Sequence, residues 1–146
     1  MYKFFAVAIL ILFVTVLSIE LKVNTEVDGI RISQDLYGMM NAIEKTKYEQ
    51  LVKNSLNGNL NDLRDLINFS CGGGAGCYVP GEILAKIADR IGEEKFIKIL
   101  PNMTIEDRSY LTLLLSAGLE YGQFDGDKSY LVIEKWFPKL SKALAN

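Results

Sequence analysis

Cys71 and Cys77, the only cysteines of a 146-residue chain, bracket Gly72, Gly73, Gly74, Ala75 and Gly76. Two thiols at that spacing can close a small ring. A disulfide needs Cα atoms roughly 4.4–6.8 Å apart, and glycines enter the positive-φ regions such a ring demands. In an oxidising compartment the bridge would contribute about 2 kcal/mol, which pins a loop rather than holding up a fold. The pair is expected to be structural, because the chain has no histidine to help complete a zinc site and the spacing is not Cys-x-x-Cys. Beyond the ring, Tyr78 and Val79 lead to Pro80, a residue suited to a first helical position. The expectation is a rigid corner at which Gly73, Gly74, Tyr78 and Glu82 form a partner-binding surface, with Tyr78 either displayed or packed over the bridge.

Other spacings invite chemistry and stop short of it. The glycine run lacks the Lys-Ser/Thr that a phosphate-binding loop requires, and the third glycine of a dinucleotide fingerprint would fall on Cys77. Glu26, Asp35 and Asn41 resemble the spacing near the start of phage-type lysozymes, with Asn41 where those enzymes have Thr. That resemblance implies a cell-wall glycan hydrolase working through paired carboxylates. It spans only sixteen residues, and no hairpin rich in Gly, Thr and His follows, so Glu26, Asp28 and Asp35 are expected to be solvated acids. Asp125, Asp127 and Glu134 fit positions three, five and twelve of a calcium loop, but Gln123 and Lys128 stand where carboxylate and glycine are needed. The absence of histidine also removes Ser/His and Cys/His catalysis. No catalytic residue, cofactor or metal is therefore assigned, and an enzyme is not expected.

Sixteen Lys plus Arg against eighteen Asp plus Glu give a net charge of −2 and a pI near 5.2, with no basic block. A nucleic-acid footprint is absent. The charge is uneven at the start of the chain. After Lys3, every residue from Phe4 to Leu17 except Thr15 is apolar, and Ser18, Ile19 and Glu20 follow. A helix from Phe4 to Ile19 would span ~24 Å, short of the roughly 30 Å hydrocarbon core, so residues 1–18 read as a signal peptide before they read as a membrane anchor. Export agrees with a disulfide. The expected location is the periplasm or cell envelope, and membrane contact, if any, comes through an uncleaved N-terminal helix.

The elements that must position these residues are mostly helical. Residues 19–32 are expected to be an extended segment, with strand only near Ile19–Val27 or Gly29–Ile32, and residues 33–146 a helical domain. Ser33 caps a first helix carrying Leu36, Tyr37, Met39, Met40 and Ile43; Thr46 and Glu49 form the capping box of a second, which Gly58 ends. Asn59 or Asn61 starts a third with Leu63, Leu66 and Ile67 on one face. Pro80 opens a fourth with a stripe of Ile83, Leu84, Ile87, Ala88 and Ile91, closed by Gly92. A short helix from Glu93 to Leu100 carries a Glu94–Lys98 pair and stops at Pro101. Thr104 caps Ile105–Tyr121, expected as the central helix, with Gly118 marking a close helix crossing. Tyr130, Leu131, Ile133, Trp136 and Phe137 belong to a last amphipathic stretch that turns at Pro138. The fold class is all-α: a small irregular, orthogonal bundle of about six or seven helices. The 34-residue spacing of Gly58, Gly92 and Gly126 offers stacked helical hairpins as the alternative. The function expected is non-enzymatic protein binding, of the inhibitor or toxin-immunity type. A membrane-tethered accessory subunit comes second and an unrecognised cell-wall hydrolase third.

Overall fold

The computed structural model describes residues 26–69, 78–122 and 131–146. The leader, the Cys71–Cys77 ring with Gly73 and Gly74, and Gly126 lie outside the described residues. β1 (Glu26–Val27) and β2 (Ile30–Arg31) pair antiparallel, with Glu26 opposite Arg31 and Val27 opposite Ile30. The turn between them needs two residues at positive φ, and Asp28 and Gly29 supply it at 47° and 83°. Both strands fall within the two windows expected.

Ser33 starts α1 (Gln34–Gly38), its Oγ accepting the Leu36 N–H. α2 (Ala42–Leu56) begins a turn earlier than the Thr46/Glu49 spacing suggests. Asn41 and Glu44 form the capping box instead: the Asn41 side chain accepts from Ile43 and Glu44, and the Glu44 carboxylate accepts the Asn41 N–H at 2.8 Å. Two boxes of equal spacing compete, and the earlier one gains a further turn of backbone hydrogen bonds. Thr46 then lies inside the helix and donates its hydroxyl to the Ala42 carbonyl. As a result Ile43, expected on the apolar face of the first helix, sits in the first turn of α2 and is 81% exposed.

Asn59 caps α3 (Leu60–Ile67), and Thr104 with Asp107 forms the capping box of α6 (Ile105–Tyr121). Between them run α4 (Tyr78–Ile91), α5 (Glu93–Ile97) and a single 3-10 turn, Leu100–Asn102, which holds Pro101. α7 (Ile133–Trp136) and α8 (Pro138–Leu144) finish the chain. Gly58 and Gly92 each follow a helix end at positive φ, 83° and 86°. With eight helices and one two-stranded hairpin among the described residues, the chain is mostly helical and consistent with an all-α class.

The most enclosed helix is α4 rather than α6. Val79, Ile83, Leu84, Ala85, Ile87 and Ala88 are all buried, and the small residues among them admit α2, α5 and α6 as neighbours. α6 buries Leu111, Leu114, Leu115 and Leu119 but turns Ser109, Leu113 and Glu120 to solvent, which corrects its expected central position. Tyr48 and Phe69 meet edge to face within the core, ring centroids 4.9 Å apart. Arg90 of α4 donates to the Asp28 carbonyl and so ties the hairpin turn to this layer.

α8 has no side-chain cap of its own, and Glu93 supplies one from α5, its carboxylate accepting the Leu140 N–H at 2.8 Å. Glu94 pairs with Lys139 at 2.6 Å instead of the expected Lys98. The reason is local. α5 is a five-residue helix with Lys98 as its C-cap, and α8 brings Lys139 within ion-pair distance of Glu94. The hydrogen bond from Lys139, and then its charge, hold the Glu94 carboxyl below the usual carboxylate range; the same pair raises the Lys139 ammonium.

Candidate functional site

The first turns of α4 meet the last turns of α6 with almost no side chain between them. A Cβ placed on Gly81 would run into the Leu114 carbonyl and come 3.0 Å from the Gly118 nitrogen; one on Gly118 would strike the Gly81 carbonyl group and the Glu82 nitrogen. Both obstacles are backbone. A turn further along α6, a Cβ on Gly122 would come 2.8 Å from the Cβ of Glu82. Three glycines thus let two helices touch directly, as Gly118 alone suggested from the sequence.

This crossing decides where the expected site residues lie. Tyr78 is the first residue of α4, half-buried and packed against the core. Glu82 lies one turn further on, its methylenes against Gly122 and its carboxylate on Lys86 at 2.6 Å, with 14% of its side chain exposed. Burying a paired carboxylate this far leaves little of it for an incoming partner. Tyr78 and Glu82 are therefore brought together, but as groups held by the domain. Cys71, Cys77, Gly73 and Gly74 lie outside the described residues.

The same end of the molecule carries side chains that are open. Tyr121, in the last turn of α6, is 62% exposed. The chain returns at Leu131, whose N–H donates to the Leu119 carbonyl at 3.3 Å, so Val132 emerges beside that last turn. Trp136 follows one helical turn later, 41% exposed, whereas Phe137 and Ile133 turn into the core. The aromatic run near the C-terminus is thereby divided: Phe137 packs, while Trp136 and Tyr121 face outward. Helical spacing cannot show this division, because adjacent residues 136 and 137 both suit an apolar face until the docking of α7 is known.

Among the described residues, no group of three or more Cys, Asp or Glu side chains is arranged to hold a metal ion, and no helix is long and apolar enough to cross a membrane. Glu26, Asp28 and Asp35 are exposed, on the hairpin and in the first turn of α1. Comparison with family models, with curated proteins and with solved structures finds no match for this chain.

Proposed function

We propose that the chain is an exported, non-enzymatic helical domain that docks another protein through the end where α4 begins and α6 finishes. The observation that supports it most is the exposure of Tyr121, in the last turn of the helix whose backbone meets α4 directly, together with Trp136 on the segment that returns beside it. Tyrosine and tryptophan are the residues that dominate protein–protein hot spots, since they bury large area at low cost in side-chain entropy. Val132 extends the apolar patch, and Glu82 packs beside it against Gly122. Export through residues 1–18 and a Cys71–Cys77 bridge belong to this reading, as does an irregular bundle in preference to stacked hairpins. The functional comparison is with small exported inhibitors and immunity proteins.

Trp136 is the sole tryptophan, which makes the test direct. A photo-crosslinking amino acid is placed at Trp136 and, separately, at Ser109 on the exposed side of α6, in cells of the native host. The expected result is one dominant protein adduct at position 136, weakened at least tenfold by Tyr121→Ala and absent at 109. Equal labelling at both positions, or none at 136, refutes the docking end.

A further inference from the structure

The turn of the β1–β2 hairpin holds a reactive pair that the docking end does not use. Asp28 and Gly29 are exposed, and Asp28 is the one residue other than glycine at positive φ among the described residues. Among those residues nothing hydrogen-bonds the Asp28 carboxyl or the Gly29 N–H. Such a pair can close on itself, because the Gly29 nitrogen and the carbonyl carbon, Cα, Cβ and Cγ of Asp28 make a five-membered ring. With positive φ at both residues the turn is type I′. Turning its central peptide over gives type II′, whose first residue has a φ of about +60° and a ψ of about −120°, where Cβ eclipses the next nitrogen. Asp28 therefore already has the φ of the reactive turn, and Gly29 is free to follow from positive to negative φ. The flip would carry the Asp28 carbonyl to the opposite face of the hairpin. Arg90 opposes it: its guanidinium donates to that carbonyl and lies over Gly29, where a Cβ would come 3.1 Å from Nη2.

Asn57–Gly58 is the contrast. In a free chain it is the more reactive pair, because at neutral pH a side-chain amide is more electrophilic than a carboxylate, and Asn57 too is exposed. The fold holds it shut. Gly58 donates its N–H to the Ser55 carbonyl at 2.9 Å, Asn57 turns its Nδ2 onto the Lys53 carbonyl at 3.1 Å, and the Asn57 ψ is 0°, far from closure. We infer that, of these two pairs, it is Asp28–Gly29 that forms isoaspartate in the folded protein, with Arg90 as the restraint that sets its rate. The Gly29 nitrogen bonds to Asp28 Cγ, and its proton leaves with the carboxyl hydroxyl as water. Water then reopens the imide. Breaking the bond from nitrogen to Cγ restores aspartate; breaking the bond from nitrogen to the backbone carbonyl carbon routes the chain through Cγ and frees that carbonyl as a carboxylate. The second product has a backbone one atom longer. A two-residue loop has no slack for it, so the Val27–Ile30 pairing that seats Ile30 in the core is lost while the helices stay intact.

Parent, Arg90→Gln and Arg90→Lys are kept folded in neutral buffer at physiological temperature for several weeks, beside a parent sample unfolded in urea. Trypsin then places the two pairs on separate peptides, 23–31 and 54–64, with Asp125–Gly126 on a third. Isoaspartate at position 28 shows as a peptide of unchanged mass and shifted retention that an aspartate-specific endoproteinase does not cut. Loss of ammonia at Asn57 shows as a gain in mass. The folded parent should accumulate isoaspartate at 28 faster than it loses the amide at 57, and urea should reverse that order. Arg90→Gln should raise the rate at 28 at least threefold, and Arg90→Lys by less, with Asn57 still an amide; an opening confined to the turn, not global unfolding, then governs the rate. No isoaspartate at 28, or Asn57 reacting first in the folded parent, overturns the site. A rate at 28 that neither substitution raises overturns the role of Arg90. An Arg90→Gln chain that loses its amide at 57 as fast as the urea sample has unfolded, and the Arg90→Lys comparison then decides.

Discussion

Gly118→Ala should destabilise the protein although the substitution favours helix. In an open helix interior alanine is better than glycine by about 1 kcal/mol. At position 118 the added methyl would meet the Gly81 carbonyl group and the Glu82 nitrogen, and no rotamer change moves backbone aside. The helices must part by about 1 Å or more, which thins dispersion contacts along the whole crossing, including those of Leu114, Leu115, Ile83 and Leu84. Over-packing of a core costs about 1–3 kcal/mol, and backbone on both sides places this case at the upper end. Subtracting the propensity gain leaves a net loss of about 2 kcal/mol, or roughly 6–10 °C in Tm for a domain of this size. Gly38→Ala is the control: it ends α1, lacks a positive φ and would meet nothing within 4 Å. It should gain about 0.5–1 kcal/mol. Gly81→Ala with Gly118→Ala should cost less than the sum of the two, since helices already parted accommodate the second methyl. Equilibrium urea unfolding followed by far-ultraviolet circular dichroism measures the parent, the three single variants and the double variant. A Gly118→Ala variant as stable as the parent would refute direct backbone contact between α4 and α6.

Among the described residues, two buried hydroxyls have no hydrogen-bond partner, Tyr48 Oη and Ser55 Oγ. A buried hydroxyl left unpaired is a cost, so Tyr48→Phe and Ser55→Ala should each stabilise by about 1 kcal/mol, against the usual trend for core substitutions; a loss in urea midpoint would reveal a hidden partner. Burial also pushes the Tyr48 phenol up from its ordinary 10.0. The folded state therefore keeps a proton that the unfolded state releases above pH ~10, and stability should fall there by up to about 1.4 kcal/mol per pH unit. Urea midpoints across about pH 9–11 should show the fall for the parent, and a slope shallower by one proton's share for Tyr48→Phe; equal slopes would refute it. Glu93→Ala removes the cap of α8 and should cost about 1 kcal/mol, whereas Glu94→Ala breaks only an exposed pair and should leave the urea midpoint unchanged. Whatever small contribution Glu94 makes is present above the ordinary carboxylate range and lost as pH falls through its lower folded value, so parent and Glu94→Ala should converge at the acid end of the stability curve.

Helix ends were legible wherever a single residue type carries the signal. Ser33, Asn59 and Thr104 cap as expected, and Gly58 and Gly92 terminate through backbone conformations that other residues avoid. Legibility failed where two signals of equal form compete, as with the Asn41/Glu44 and Thr46/Glu49 boxes. It failed again where the partner comes from far along the chain. Glu93 caps a helix 47 residues away, and nothing local separates it from Glu94, which does not.

The candidate site was hidden for a related reason. Periodicity sorts residues onto faces but says nothing about which face another element will cover. Leu113 and Leu114 are equally apolar neighbours, yet only Leu114 meets α4; Trp136 and Phe137 divide in the same way. Glycine is the exception, because a glycine within a helix costs stability that only a close approach explains, and Gly118 duly pointed to the crossing. What Gly118 could not reveal is the cost of that crossing to the expected binding surface. Backbone contact at Gly81 and Gly118 brings the methylenes of Glu82 against Gly122, with its carboxylate on Lys86, while Tyr121 and Trp136 stay exposed. The side chains left open at this end are thus aromatic rather than acidic.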